Sequence, residues 1–229
     1  MDLFSDSLPP GHTPILNPDL LSIGLPQTRG GLTVFPICLR SPLPASDYAL
    51  LDEALADGSA TVTEVSDSGS VPELLLRNGG GKPVLLLDGE ELVGAKQNRV
   101  LNLTILAPAG KDLRIPVSCV EAGRWSWRSQ QFRGTDRAFY AEGRLRKMQS
   151  VSASMRYGSH RSDQSDVWRS IAEKSDRMGS VSPTGAAEAL YEDHRPYLDA
   201  MVKRIEVLDG QVGAAFFVGP RLAGVELFD

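Results

Sequence analysis

The feature that most constrains this chain is a run of polar residues directly after a short apolar segment. Residues 83–87 read Pro-Val-Leu-Leu-Leu, which predicts a buried strand, and Asp88-Gly89 is typical of a hairpin turn. The predicted return strand then carries four consecutive polar residues, Lys96 to Arg99. Because unpaired buried polar groups are costly, a core strand rarely carries such a run. We therefore expect any chemistry of this protein to centre on residues 88–99.

Alternation along an extended chain assigns these polar residues to two faces. Gln97 and Arg99 share a face with the apolar positions 101, 103 and 105, whereas Lys96 and Asn98 point the other way. The pattern places Arg99 on the core side, where it needs a carboxylate or an anionic ligand. Glu90 or Glu91 is the expected partner.

Three kinds of chemistry fit this segment, and one alternative is purely structural. Carboxylates at a turn can hold a hard cation such as Mg²⁺. Lys96 and Arg99 can hold a phosphate or carboxylate, with Arg supplying bidentate geometry. A Glu flanked by cations can act as a general base. The structural alternative is a salt-bridge network that rigidifies a hairpin.

A second group of candidates follows in the segment Ile-Pro-Val-Ser-Cys-Val-Glu-Ala-Gly-Arg-Trp, residues 115–125. Cys119 alternates with apolar residues, which favours a small core residue over a nucleophile, although nearby cations could stabilise its thiolate. Glu121, Arg124 and Trp125 lie at the predicted strand exit and are better site candidates. We expect Glu121 and Arg124 to approach the residues of the 88–99 segment.

Periodicity along the chain predicts an α+β fold: a mainly antiparallel sheet with several helices, the C-terminal helices packing on the sheet. Residues 1–30 are predicted to be an irregular N-terminal arm and residues 31–229 a single domain. The first 120 residues resemble a meander with one helix that Gly58 ends. Residues 129–158 predict a long loop or a short helix at 138–147. The remaining predicted elements are a strand at 32–39 with Pro36 at an edge or bulge, helices at 162–178 and from Ser182 onward with a break near Pro196, and a hairpin at 211–227.

Charge is unevenly distributed along the chain. The formal net charge is −5, yet residues 121–174 hold 11 basic and 6 acidic residues interleaved with aromatic ones. An anionic partner is therefore worth considering, although a solvated Arg-rich surface is the simpler interpretation. Nucleic acid is disfavoured because such domains are usually basic throughout.

Other sequence signals exclude several classes of protein. The chain has no apolar stretch of membrane-spanning length and no secretory leader, so we predict a cytoplasmic protein without a membrane partner. Cys38 and Cys119 are then expected to be reduced thiols. Asn78-Gly-Gly-Gly-Lys82 is no phosphate loop, since a Pro and a strand follow the Lys. The spacing of Cys and His indicates no zinc site, and the sequence assigns neither a cofactor nor an oligomeric state.

Four segments together resemble a known family. They are Asp-Gly-Glu-Glu-Leu-Val-Gly-Ala-Lys-Gln-Asn-Arg from residue 88, the 115–125 segment, Ser-Pro-Thr-Gly-Ala-Ala-Glu-Ala-Leu from residue 182, and the two closing strands. The chain is similar from about Leu32 to Asp229 to the family named for its association with ADP-ribosylglycohydrolases and rhodanese-phosphatases, a domain of unknown function. That name records gene neighbourhood and implies ADP-ribose or a related phosphorylated metabolite.

The resemblance covers the polar residues that burial cost had already singled out. We predict a pocket that binds or processes a small anionic phosphorylated metabolite. The alternative is a non-catalytic protein-binding or structural module that docks through segment 124–169. The predicted catalytic residues are Glu90, Glu91 and Glu121, and the predicted ligand-binding residues are Lys96, Gln97, Asn98, Arg99, Arg124 and Trp125.

Overall fold

The computed structural model of this chain describes residues 18–41 and 46–228. Its strands are β1 (Leu21–Ile23), β2 (Gln27–Arg29), β3 (Leu32–Leu39), β4 (Ala49–Leu50), β5 (Ala60–Glu64), β6 (Glu73–Asn78), β7 (Val84–Leu86), β8 (Glu90–Gly94), β9 (Arg99–Leu101), β10 (Ile105–Ala107), β11 (Lys111–Cys119), β12 (Phe132–Ala138), β13 (Gln211–Val218) and β14 (Arg221–Leu227). Its helices are α1 (Leu51–Ala56), α2 (Ala141–Met155), α3 (Gln164–Met178), α4 (Glu188–Glu192) and α5 (Arg195–Val202), with a 3-10 turn at Pro18–Leu20.

The described residues fall into two compact units, one formed by 18–41 and 197–228 and the other by 46–196. The first unit is a five-stranded antiparallel sheet in the order β1-β3-β13-β14, with β2 also pairing with β3. The described part of the predicted N-terminal arm therefore contributes β1 and β2, and its first 17 residues lie outside the described range. The single domain over 31–229 stays a prediction.

Pro36 was predicted at an edge or a bulge. It lies in a central strand of the five-stranded sheet, and the pairing of that strand explains why a proline is tolerated there. β3 is a central strand, with β13 on one side and both β1 and β2 on the other. On that second side, β2 pairs with Leu32–Val34 and β1 with Ile37–Leu39, so Pro36 lies between the two paired stretches. Its carbonyl accepts from the Gly24 amide at 2.8 Å. The N–H that proline lacks thus falls where no ladder bond is required.

The second unit is built on a closed antiparallel barrel with the strand order β11-β6-β5-β12-β8-β9. Period-two alternation explains its interior: in β6, Leu74 and Leu76 are completely buried, whereas Leu75 and Arg77 between and after them are not. Leu76 pairs with Val62 on β5 and with Leu113 on β11. Burying one such side chain contributes about 1.5–3 kcal/mol.

The predicted hairpin at Asp88-Gly89 is wrong. Leu87 to Glu90 is a turn, closed by the Glu90 amide on the Leu87 carbonyl at 3.1 Å, but β7 and β8 do not pair. β7 instead lies between β10 (antiparallel) and β4 (parallel) in a separate three-stranded sheet. The predicted bend at Gly94 is confirmed, and the return segment divides into β8, β9 and β10. The hairpin in this region is β8–β9, with residues 95–98 as its loop.

β12 is an element that residues 129–158 did not predict. The strand reads Phe-Arg-Gly-Thr-Asp-Arg-Ala, so it lacks apolar alternation, and Phe132 is its one residue in the barrel core. Its backbone nevertheless pairs with β8 and β5 and closes the barrel. The short helix predicted at 138–147 is α2, which extends to Met155.

The predicted caps are confirmed for α3, whereas the helix predicted from Ser182 begins only at Glu188. The side chain of Asp163 accepts from the amides of Ser165 and Asp166 at the start of α3, and Gly179 ends it at a φ of +67°. α3 packs on β11, and a second apolar cluster joins strand, helix and loop residues: Val100, Val120, Phe139, Val167, Ile171, Ala187 and Leu190. The break near Pro196 is confirmed between α4 and α5, and the α+β class with largely antiparallel sheets is confirmed. Among the residues described, no helix has the length and apolar character needed to cross a membrane.

Candidate functional site

Polar side chains of the second unit gather in three clusters and one open cleft. The barrel-end cluster lies where β5 and β11 end and β9 begins, and comprises Glu64, Lys96, Gln97, Asn98, Arg99, Glu121, Arg124 and Trp125. The Arg137 cluster comprises Arg137, Glu91, Glu188 and Glu192. The turn cluster comprises Asp88, Arg144 and Lys147.

Glu121 is the most fully bonded carboxylate of the barrel-end cluster. Its Oε2 accepts from Arg124 Nη2 at 2.6 Å and from the Asn98 amide at 3.0 Å, and its Oε1 accepts from Thr184 Oγ1 at 2.9 Å. Burial raises its pKa, but these hydrogen bonds more than offset burial and hold the pKa below the ordinary value. Glu121 is therefore an ionised structural anchor in this state.

The guanidinium of Arg124 is likewise hydrogen-bonded to groups of the protein itself. Its guanidinium donates to the carbonyls of Gly94, Ala95 and Ser126 as well as to Glu121. These bonds hold the β8–β9 loop, where Gly94 has a φ of +133° and Ala95 a φ of +37°. Backbone in these regions is strained for most residues, so Arg124 stabilises a loop that is unfavourable on its own.

Arg99 is completely buried, as alternation predicted, but its carboxylate partner is Glu64 and neither Glu90 nor Glu91. The pair is loose, with 3.9 Å between Arg99 Nη2 and Glu64 Oε1. Arg99 Nη1 donates only a long 3.4 Å bond to the Asn98 carbonyl. Burial lowers the pKa of the guanidinium.

Lys96 and two tryptophans cover this end of the barrel. The ammonium group of Lys96 donates to the carbonyls of Asp67 (2.5 Å) and Ser68 (3.0 Å) and lies 5.3 and 5.1 Å from the ring centroids of Trp125 and Trp127. Such contacts between a cation and aromatic faces stabilise the pair. Lys96 thus fastens the loop after β5 to the tryptophan segment.

Gln97 and Asn98 are also held by protein groups. Gln97 Nε2 donates to the Glu121 carbonyl at 2.9 Å. Asn98 Oδ1 accepts from Arg124 Nη2, and its Nδ2 donates to Glu188 Oε2, both at 3.2 Å. Asn98 therefore connects the barrel-end cluster with the Arg137 cluster.

Arg137, which sequence reasoning did not select, binds three carboxylates. Its Nε donates to Glu91 Oε2 at 2.5 Å, its Nη1 lies 2.8 Å from Glu192, and its Nη2 lies 3.4 Å from Glu188. The guanidinium also stacks on Tyr191, 5.2 Å from the ring centroid. Glu91 is buried, and this desolvation raises its pKa despite the contact with Arg137.

Glu90 stands apart from the other two predicted catalytic carboxylates. Its Oε2 accepts from the Leu87 amide at 2.6 Å. Burial raises its pKa to about 6, an effect that the Leu87 amide opposes and the charge of Asp52 reinforces. A carboxyl group with such a pKa can exchange a proton near neutral pH.

The turn cluster contains a fully buried lysine that sequence reasoning also missed. Lys147 on α2 donates to Asp88 Oδ1 and to the Leu101 carbonyl, and Arg144 Nε lies 3.2 Å from Asp88 Oδ2. Gly89 beside it has a φ of +84°, and a Cβ there would lie 2.6 Å from Arg144 Cδ. Each carboxylate oxygen of Asp88 thus contacts a cationic side chain, Lys147 or Arg144, which leaves Asp88 poorly suited to the Mg²⁺ role considered from the sequence.

The open cleft follows β12 and has a volume of about 780 Å³. It is lined by strand, helix and loop residues: Asp52, Leu55, Ala56, Gln131, Phe132, Arg133, Gly134, Thr135, Asp136, Arg137, Glu188, Glu192 and Arg195. Three guanidinium groups and four carboxylates therefore share its walls. None of the nine predicted catalytic and ligand-binding residues lines it, although Glu91 and Asn98 contact Arg137 and Glu188, which do.

Cys119 is a buried core residue, as its alternation favoured. Burial raises the pKa of its thiol. Its backbone is clamped by the Gln164 amide, which accepts from the Cys119 N–H at 2.8 Å and donates to its carbonyl at 2.7 Å. Both cysteines are free thiols. In the part of the chain that the structure describes, no three His, Cys, Asp or Glu side chains converge as metal ligands.

The structure brings seven of the nine predicted residues together at the barrel end and leaves Glu90 and Glu91 outside that cluster. It also brings two of the family-like motifs into contact. The Gly123 amide donates to the Thr184 carbonyl at 2.7 Å, and a Cβ on Gly123 would lie 3.0 Å from Thr184. The cleft residues on β12 and α4 escaped prediction because Arg, Asp and Glu on a strand and a short helix look like ordinary surface residues.

The fold and these clusters define an α+β protein with a closed barrel, a buried charge network and a charged cleft. Residues 20–229 match the family described as ARPP-1, the ARG and Rhodanese-Phosphatase-superfamily-associated Protein domain, and the chain belongs to that family. A search of curated proteins found no match, and a search of solved structures found none either.

Proposed function

We propose that the cleft along β12 binds an anionic phosphorylated metabolite of the ADP-ribose or nucleotide class. The observation that carries this proposal is the combination of three guanidinium groups and four carboxylates on one cleft of about 780 Å³. Pockets that hold small molecules span roughly 300–1,000 Å³. The cleft is therefore large enough for a nucleotide.

The guanidinium groups suit the charged part of such a ligand. Arg133 is exposed on the cleft and forms no ion pair with any residue in the described ranges. Arg137 is held in one orientation by Glu91 and by stacking on Tyr191. Arg133 can therefore grip phosphate oxygens with paired hydrogen bonds, while Arg137, whose three nitrogens contact carboxylates, contributes positive charge beside it.

The carboxylates restrict which anions would bind. Glu188, Glu192, Asp52 and Asp136 repel a ligand that carries only negative charge, but they accept hydrogen bonds from hydroxyl groups. A sugar phosphate presents both features. The mixed walls therefore favour a ribose-bearing phosphate over a bare phosphate or an oligonucleotide.

Glu90 is the predicted catalytic residue whose chemistry fits a proton-transfer role here. Its pKa of about 6 lies close to neutral pH, and the charge of Asp52, a cleft residue, contributes to that value. Glu121 is less suited, because three donors keep it ionised. We assign Glu90 as the candidate general acid–base group if the ligand is turned over.

Isothermal titration calorimetry with ADP-ribose, ADP and inorganic phosphate tests the proposal. We expect ADP-ribose to bind, and Arg133→Ala to weaken binding by about tenfold, the loss of one charge-assisted contact. Arg161→Ala is the matched control, since Arg161 is exposed and does not line the cleft. Absence of binding heat with every nucleotide, or equal affinity in Arg133→Ala, would contradict the proposal.

One observation favours the second candidate function, docking of a protein through segment 124–169. Leu145, Met148 and Met155 on α2 are exposed and lie three and seven residues apart, which places them on one helical face. The segment around them is rich in arginine, so the partner would carry an acidic surface. Leu145→Ser with Met148→Ser should then abolish partner binding and leave ADP-ribose binding intact, whereas the reverse pattern supports the cleft.

A further inference from the structure

The guanidinium of Arg99 has one edge with no partner. Its Nε and Nη2 atoms make no hydrogen bond to any described residue, and the side chain has no exposed surface. These two atoms form the edge through which arginine grips a carboxylate or phosphate with two parallel bonds. Glu64 does not occupy that edge, because its nearest oxygen stays 3.9 Å away and accepts from the Lys96 amide at 3.3 Å.

Further unpaired polar atoms lie in the same barrel-end cluster. Glu64 Oε2, Gln97 Oε1 and Arg124 Nε are buried and have no hydrogen-bond partner within the described ranges. Folded proteins satisfy the great majority of such atoms, so several in one cluster require an explanation. Together with Nε and Nη2 of Arg99 they make two acceptors and three donors without a partner.

The formal charges of the cluster do not cancel. Arg99, Lys96 and Arg124 contribute three positive charges, and Glu64 and Glu121 contribute two negative ones. Cys119, which pairs with Arg99 across the β9–β11 ladder, is a buried neutral thiol and adds no charge. One monoanion would neutralise the remaining charge, and an uncompensated buried charge is costly.

We propose that the barrel end holds a small monoanionic oxyanion, with the acid form of inorganic phosphate as the best match, on the Nε–Nη2 edge of Arg99. The acid form presents oxygens that accept from the guanidinium and hydroxyl groups that donate to acceptors such as Gln97 Oε1. This site is separate from the cleft and independent of the function proposed for it.

Trp125 and Gly69 cover the site. The Trp125 ring stacks on Arg99, 5.8 Å from ring centroid to Cζ, and 48% of the residue's surface is exposed, so the ring lies between the guanidinium and solvent. A Cβ on Gly69 would lie 3.2 Å from Trp125 and 3.3 Å from Glu64 Oε2. The anion would therefore enter by displacement of Trp125 and the Gly69 loop.

The test is calorimetric titration of the full chain with inorganic phosphate at about pH 5.5, where phosphate is mainly a monoanion. Chloride at matched ionic strength controls for the general stabilising effect of phosphate salts. Arg99→Lys keeps the charge but removes the two-atom edge, and we expect it to weaken phosphate binding at least about tenfold. Glu64→Gln keeps an acceptor and removes the competing charge, so we expect it to tighten binding.

Arg161→Ala is again the control, since Arg161 lies outside both the cleft and the barrel-end cluster, and it should leave phosphate binding unchanged. Absence of phosphate binding to the unaltered chain would overturn the proposal, as would equal affinity in Arg99→Lys. If Arg99→Lys does not fold, Glu64→Gln decides: tighter phosphate binding supports the site, and unchanged or weaker binding overturns it.

Discussion

The ammonium group of Lys147, on a side chain with no solvent exposure, donates to the carboxylate of Asp88 and so ties α2 to the turn between β7 and β8. The Leu101 carbonyl is its other acceptor, at 2.8 Å. Burial lowers the pKa of Lys147, and Asp88 opposes that effect. The residue that opened the polar run of the sequence therefore has a lysine 59 positions away as its principal partner.

The first prediction concerns this pair. Asp88→Ala should lower the free energy of unfolding by about 3–5 kcal/mol, because it leaves a buried ammonium group without a carboxylate. The double variant Asp88→Ala with Lys147→Met should recover most of the loss, since both charges are then removed. Urea unfolding of the single and double variants measures the coupling. Additive losses would show that the two residues do not act as a pair.

The second prediction concerns the bend between β8 and the loop that follows. Gly94 has a φ of +133°, and an added Cβ would lie 2.6 Å from Ser129 Oγ and 2.8 Å from the Gln131 carbonyl. Gly94→Ala should cost about 3 kcal/mol of unfolding free energy. Gly110→Ala is the control, with a φ of +65° and open space around it, and should cost about 1 kcal/mol. Equal losses in chemical denaturation would rule out the crowding at Gly94.

The third prediction follows from the pKa of Glu90. Burial raises that pKa from 4.5 to about 6, so the native state holds this proton more tightly than the unfolded chain. The resulting stabilisation is present below about pH 4.5 and is lost as the pH rises through about 6. Glu90→Gln should not show this loss of stability. In the unaltered protein we expect the loss to be about 1 kcal/mol, because water reaches part of the Glu90 carboxyl group. Melting temperatures of both proteins between pH 4 and 7 test it, and parallel curves would exclude the effect.

The fourth prediction has the opposite sign and concerns Glu121. Its three donors hold the pKa of Glu121 below the ordinary value although burial raises it, so its stabilising contribution is present at neutral pH and lost on acidification below 4.5. Glu121→Gln should therefore be less stable by about 3 kcal/mol at pH 7 and should approach the unaltered protein in acid. The measurement is the free energy of unfolding of both proteins at pH 7 and at a pH below 4.5. A deficit that persists unchanged in acid would argue against an ionised carboxylate.

The barrel-end cluster shows which contacts local sequence patterns can predict and which they cannot. Alternation correctly placed Arg99 on the core side, and proximity of predicted strands correctly brought Glu121 and Arg124 toward Asn98. The carboxylate partner predicted for Arg99, Glu90 or Glu91, was wrong. Glu64 is the partner, and it reaches Arg99 from β5 only when the barrel closes. Pairing between strands distant in sequence leaves no local signature in either strand.

The sequence by itself determined the α+β class, most element positions, the buried position of Arg99 and the membership suggested by the quoted motifs. Side-chain periodicity and caps act over a few residues, so they are visible in any window of that length. Only the tertiary structure decided that the 88–89 turn joins two different sheets and that β12 closes the barrel. Only the tertiary structure also placed Glu91, Glu188 and Glu192 around Arg137 beside an open cleft. β12 carries one core residue and is a strand because β8 and β5 satisfy its backbone, a condition that exists only once those strands are in place.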